Sequence, residues 1–192
     1  MQDRAGQAAD GQGVYFLAQD YASVWRRIAI EAIDGAAVVM ATAVVTIAAT
    51  LVFPDPAVVE SQTVLLGTFL FIGFCYFVLL KWSRRRTLGY AIGGVRIVTL
   101  RGEHPSLLAL AVRYLFAVFG PANVIIDLLW IGNDPYRQAL RDKFAQTYVI
   151  RKDAQPAGQG IIGYGTYFVL GTSFMFAEVR PSVAGISKHT QG

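Results

Sequence analysis

Cysteine and histidine are scarce in this chain. Cys75 is the only cysteine, and the two histidines, His104 and His189, lie far apart. One thiol excludes an intramolecular disulfide and the multi-cysteine zinc sites, and the histidines have no ligand-like spacing around them. A Ser/His/Asp arrangement and a phosphate loop ending in GK[ST] are also missing; Gly93-Gly94 alone reads as a turn. The sequence therefore assigns no catalytic residue, no metal and no cofactor, and reads as non-enzymatic. The opening MQDRAGQAADGQG lacks the apolar core of a signal peptide and is expected to be a flexible lead-in retained in the mature chain. Charge is scarce too. Only 16% of the 192 residues are charged and 54% are hydrophobic, whereas soluble domains carry about 25% charged residues. With a mean hydropathy of +0.44, this is the balance of a bilayer protein. The net charge of +4 comes from Lys and Arg gathered at the ends of apolar runs, a membrane-flanking pattern, so no nucleic-acid partner is expected.

Long apolar runs are what the chain has instead. The first, Gly35–Phe53 with the turns before it, is long enough to cross a hydrocarbon core of about 30 Å, and Pro54–Pro56 are expected to end it. The second, Thr63–Trp82, has no charge before Lys81 and closes on Lys81-Trp82. Arg84, Arg85 and Arg86 follow directly, and Arg26-Arg27 open the first run. Both basic clusters place these ends on the cytoplasmic side, with the acidic Asp55–Gln62 loop outside. VRIVTL alternates and is β-branched, predicting a short extended stretch or hairpin at the membrane surface. The third run, Pro105–Ile131, is interrupted by Gly120-Pro121. It reads as one kinked crossing in preference to a broken hairpin. The fourth, Ile161–Val179, reads either as a further membrane helix rich in small residues or as two strands or an irregular strap on a partner, and the short β-branched and aromatic stretch TYFVL does not decide between them. The linker before it, Asp153–Gly160, reads as flexible.

RQALRDKFAQTYVI (Arg137–Ile150) resembles the closing signature of RDD-family membrane proteins. Arg27 and Asp34 match the family's first Arg and Asp, and Asp142, followed by Thr147 and Tyr148-Val149-Ile150, matches its second Asp. Thr87-Leu88-Gly89 and Gly94–Val98 resemble its loop after the second helix, and Arg113 a basic residue common in its third helix. The resemblance covers 21–152. It departs at Tyr90, where the family often has Lys, and at the additional Glu31. It implies a polytopic membrane architecture, and a cation/proton antiport activity has been proposed for some members.

A charge at mid-bilayer costs on the order of 2.5–3.5 kcal/mol on insertion scales, so buried charges usually face a partner or a wet cavity. Arg27, Glu31 and Asp34 share one helix face. The expected arrangement pairs Asp34 with Arg113 or Arg27, within a polar network of Arg27, Asp34, Arg113 and Asp142 that fixes helix register. The competing reading is a proton or cation site at Glu31, Asp34 and Asp127. Asp142 also reads as a helix cap or as a surface partner of Arg141 or Lys143. Arg84–Arg86 are expected to contact lipid head groups. Tyr21, Trp25, Trp82, Trp130 and Tyr136 are expected to be interfacial anchors. The predicted fold is an all-α transmembrane domain of three to four apolar segments with one short extended cytoplasmic loop. Its parts are a lead-in (1–20), the membrane domain (21–152), and a linker with an apolar tail (153–192). The expected protein is a multi-pass component of a bacterial-type inner membrane. Its expected partners are lipids and other membrane proteins, or a second copy of itself. It serves as an accessory or scaffold subunit or, alternatively, as an oligomeric cation or solute transporter.

Overall fold

The computed structural model describes residues 12–52, 61–118, 126–127, 130–131, 134, 136–169 and 172–181. The expected stop at Pro54–Pro56, nearly all of the acidic loop, and the Gly120-Pro121 break lie outside them. Two long helices dominate the first half: α1, Val24–Val52, and α2, Gln62–Trp82. Both are long and apolar enough to cross a membrane, with mean hydropathies of 2.2 and 2.3. Only 6% of the most apolar window of α1 and 11% of that of α2 is buried. The core helix of a soluble protein would hide that surface; here it faces outward. Ser61 caps α2 by accepting from the Val64 amide at 3.4 Å. Near its end, Cys75–Leu79 widens into a π-helical turn. Such a turn re-aims the side chains it carries.

The buried residues of α1 are Arg27, Ile30, Asp34 and Val38, spaced three, four and four apart. That spacing lines one face over its first half. Beyond Val38 the helix is open: Met40 is 68% and Leu51 84% exposed. A short helix α3, Leu88–Ile92, lies across the buried stripe. Gly89 permits the approach, since a Cβ there would stand 2.5 Å from the Ile30 carbonyl oxygen. Helix α4, Leu107–Val118, has 12 residues, too few to span. The last helix is α5, Leu140–Phe144.

The all-α expectation is overturned by the five strands that the described residues form, in two antiparallel sheets. Strand β2, Val95–Thr99, is the predicted extended stretch. Its partner is β3, Thr147–Arg151, far along the chain, in the register Val95↔Arg151 to Thr99↔Thr147. Of the readings of the tail, the two strands hold and the membrane helix does not. Strands β4, Gly158–Val169, and β5, Thr172–Pro181, pair from Gly160↔Pro181 to Val169↔Thr172. The lead-in supplies β1, Gln12–Tyr15, on the other edge of β4. The expected flexible linker is held as well. Ala154 is buried and its carbonyl accepts from Arg96 at 2.8 Å, while the Ala157 amide donates to the Tyr15 carbonyl at 2.8 Å.

One apolar cluster joins the two sheets: Tyr21, Val98, Leu100, Tyr148 and Ile150 on one side, Phe16, Ala177 and Val179 on the other. Tyr21 is therefore a core residue, 3% exposed and edge-on to Tyr148, instead of an interfacial anchor. Tyr136 packs on the same cluster and donates to the Val179 carbonyl at 2.8 Å. Trp130 packs against Tyr167 and Phe176. Trp25 and Trp82 are exposed, as anchors would be.

Arg113 and Asp127, on either side of Gly120-Pro121 in sequence, contact Asp142 and Arg141, adjacent residues of α5.

Candidate functional site

The two family carboxylates sit fully buried in different surroundings. Asp34, 1% exposed, makes no ion pair among the described residues. It accepts from the Thr87 hydroxyl at 2.7 Å, the Gly89 amide at 2.7 Å and the Tyr76 hydroxyl at 2.9 Å. The expected pairing with Arg113 or Arg27 is overturned: two hydroxyls and a backbone N–H satisfy the carboxylate without a counter-charge. The local sequence explains the cradle. Thr87 and Gly89 open α3 and aim the Thr87 hydroxyl and the Gly89 amide at α1, and the π-helical turn of α2 carries Tyr76 to the same carboxylate. Tyr76 also accepts from the Leu88 amide at 2.8 Å, which ties α2 to α3. Thr-x-Gly in this chain is a binding loop for the carboxylate of its own first helix.

Asp142 takes both arginines. Its Oδ2 meets Arg27 Nη1 at 2.6 Å, and its Oδ1 is paired with Arg113 Nη1. It also caps α5, accepting from the Ala139 amide at 3.1 Å, so the capping reading and the network reading both describe it. Arg113 donates further to the Thr147 hydroxyl at 2.8 Å, and Arg27 to the Arg137 carbonyl at 2.8 Å. Burial alone would raise the pKa of Asp142, but the neighbouring Arg113, Arg27 and Arg141 outweigh it and hold the carboxyl well below the usual range. Beside this pair, Arg141 bridges Glu31 and Asp127, meeting Asp127 Oδ2 from Nε at 3.1 Å. The Arg141 amide donates to Asp127 as well. For Asp127 burial dominates, and its pKa is raised. Three guanidiniums and three carboxylates thus form a closed group without net charge. The cavity beside it, between Glu31, Tyr90, Arg113 and Arg141, measures ≈ 20 Å³. That is room for about one water.

Of the expected four-residue network, the structure joins Arg27, Arg113 and Asp142 and leaves Asp34 outside. Of the expected ion site, it joins Glu31 and Asp127 through Arg141 and again leaves Asp34 apart. Arg84, Arg85 and Arg86 are exposed at the end of α2 and make no side-chain bond among the described residues. A separate buried ion pair was not foreseen: Lys143 Nζ and Asp134 Oδ2 at 2.5 Å. Tyr167 accepts from Lys143 at 2.9 Å and donates to Glu178 at 3.0 Å, linking α5 to the β4–β5 hairpin. In sequence Lys143 is one more cation of a basic tract, and nothing there marks it as buried.

No curated protein and no solved structure matches this chain. A family model described as RDD family matches residues 21–146, well over half of it. The chain belongs to the RDD family, a membrane-associated family, in keeping with its two long apolar helices.

Proposed function

We propose that this protein is a non-enzymatic, multi-pass component of a bacterial-type inner membrane that acts as an accessory or scaffold subunit. In this reading α1 and α2 cross the bilayer, and the strands and α5 lie at its cytoplasmic face. Asp142 clamps that module to the start of α1. The observation that carries the proposal is closure of the charged centre. Each of its three carboxylates meets a guanidinium, and the cavity beside it is ≈ 20 Å³. A carboxylate that carries an ion across a membrane needs a wet path and a state in which it is free. Closed pairs with room for about one water serve registry and specificity instead. The open flanks of α1 and α2 leave apolar surface for neighbouring helices or lipid.

Purification of the full chain from its native membrane in a mild detergent tests this. Other membrane subunits retained in a fixed ratio agree with the proposal. A homo-oligomer that retains no other protein contradicts it.

A further inference from the structure

A cavity of ≈ 220 Å³ opens where α2 ends and the turn after β2 begins. Lys81, Arg84, Arg85, Arg86, Arg96 and His104 line it, and none of its described lining residues is acidic. A soluble protein with that many cations around one hollow would intersperse carboxylates or leave the side chains splayed into solvent. Here they line one hollow, Lys81 and Arg96 half-buried and Arg84, Arg85 and Arg86 exposed. The backbone at Arg84 is left-handed, φ 63°, which for a residue with a Cβ costs energy and turns the consecutive arginines about the chain. Arg96 uses one end of its guanidinium on the Ala154 carbonyl, while its buried Nε has no partner among the described residues. The Lys81 ammonium lies 3.9 Å from the centre of the Tyr90 ring, which holds it in place without neutralising it. His104 is held against the Lys81 carbonyl at 3.1 Å. A concave site with several unneutralised cations and an unpartnered buried guanidine N–H has the chemistry of a phosphate receptor.

We propose that this cavity binds the phosphate of an anionic lipid head group as a discrete site. Lys81-Trp82 end the second apolar helix, so the cavity stands at head-group depth, where lipid phosphate is the abundant anion. The inference rests on the bilayer-spanning reading of α1 and α2 and is independent of the accessory role. It differs from diffuse attraction to an anionic surface, which any exposed cation would supply.

The test is titration of the detergent-purified full chain with short-chain phosphatidic acid, followed by calorimetry. Short-chain phosphatidylcholine and inorganic phosphate are titrated separately. The full chain is also reconstituted into phosphatidylcholine nanodiscs. Phosphatidic acid is expected to bind one per chain. Arg85→Gln with Arg86→Gln, both exposed and so tolerated by the fold, weakens it about tenfold. Arg151→Gln with Lys152→Gln, equal in charge but outside the cavity, leaves it within about twofold. Phosphatidylcholine binding equally well, or the control pair weakening binding as much, overturns the site. Inorganic phosphate binding as tightly as phosphatidic acid overturns the lipid assignment in favour of a soluble anion. A chain that enters nanodiscs but binds no phosphatidic acid removes this inference alone; one that fails to enter them removes the membrane reading with it.

Discussion

Arg27 and Asp142, 115 residues apart in sequence, meet at 2.6 Å in a site where the carboxylate has no solvent exposure. Arg113 closes on the same carboxylate from α4. One aspartate therefore joins the first helix, the third apolar segment and the helix that precedes β3.

Removing the charge of Asp142 should be severe. Asp142→Asn leaves two buried guanidiniums facing a neutral amide. Breaking one side of a buried pair costs about 3–5 kcal/mol. Thermal unfolding in detergent should show the loss as a large drop in Tm. Asp127→Asn should cost much less, because burial already opposes its charge. Equal Tm values for the two variants would contradict the ranking.

Acid should act through the same residue. The folded pKa of Asp142 is depressed, so its contribution is complete above the unfolded value of about 3.9 and is lost as pH falls through the lower folded value. Stability attributable to Asp142, measured as the difference between wild type and Asp142→Asn, should be flat from pH 7 to 5 and shrink only below about pH 4. A difference that fades between pH 7 and 6 contradicts the assignment.

Asp34 should couple to hydroxyls and not to arginines. In double-mutant cycles, Asp34→Asn with Thr87→Val should show a coupling of about 1 kcal/mol or more. Asp34→Asn with Arg113→Gln should be additive within about 0.5 kcal/mol. A large Asp34–Arg113 coupling would restore the ion pair expected from sequence.

Two glycines separate packing from propensity. At Gly89 a Cβ would stand 2.5 Å from the Ile30 carbonyl oxygen and 2.9 Å from the Asp34 carboxylate, so Gly89→Ala should destabilise by about 1–3 kcal/mol. At Gly35 nothing lies within 4 Å, and Gly35→Ala should be neutral or stabilising by up to about 1 kcal/mol, since it removes a helix-interior glycine. Circular dichroism melts of both variants measure this; a stabilised Gly89→Ala would refute the close approach.

These residues also show where sequence reading stops. The two long apolar helices were legible because uninterrupted apolar runs need no partner to be recognised, and β2 because Val95, Ile97 and Thr99 alternate in a β-branched stretch. The members Arg27, Arg113 and Asp142 were legible only through the family resemblance, since nothing local says which carboxylate a given arginine reaches. Asp34 misled because a buried acid suggests a cation, whereas its donors are Thr87, Tyr76 and an amide that any residue carries. The β4–β5 hairpin was legible only as one of two readings: Gly160, Gly163 and Gly165 interrupt the alternation that marks a strand, and the same small residues suit a membrane helix. Strand β1 is four residues inside a polar lead-in and becomes a strand only because β4 offers it an edge.

The most direct test of the account is cation-coupled proton flux in proteoliposomes containing the purified full chain. A closed, charge-balanced centre predicts a flux equal to that of protein-free liposomes at every pH between 5 and 8. A pH-dependent flux that disappears in Glu31→Gln or Asp127→Asn, with folding retained, would contradict it and make the buried carboxylates an ion path.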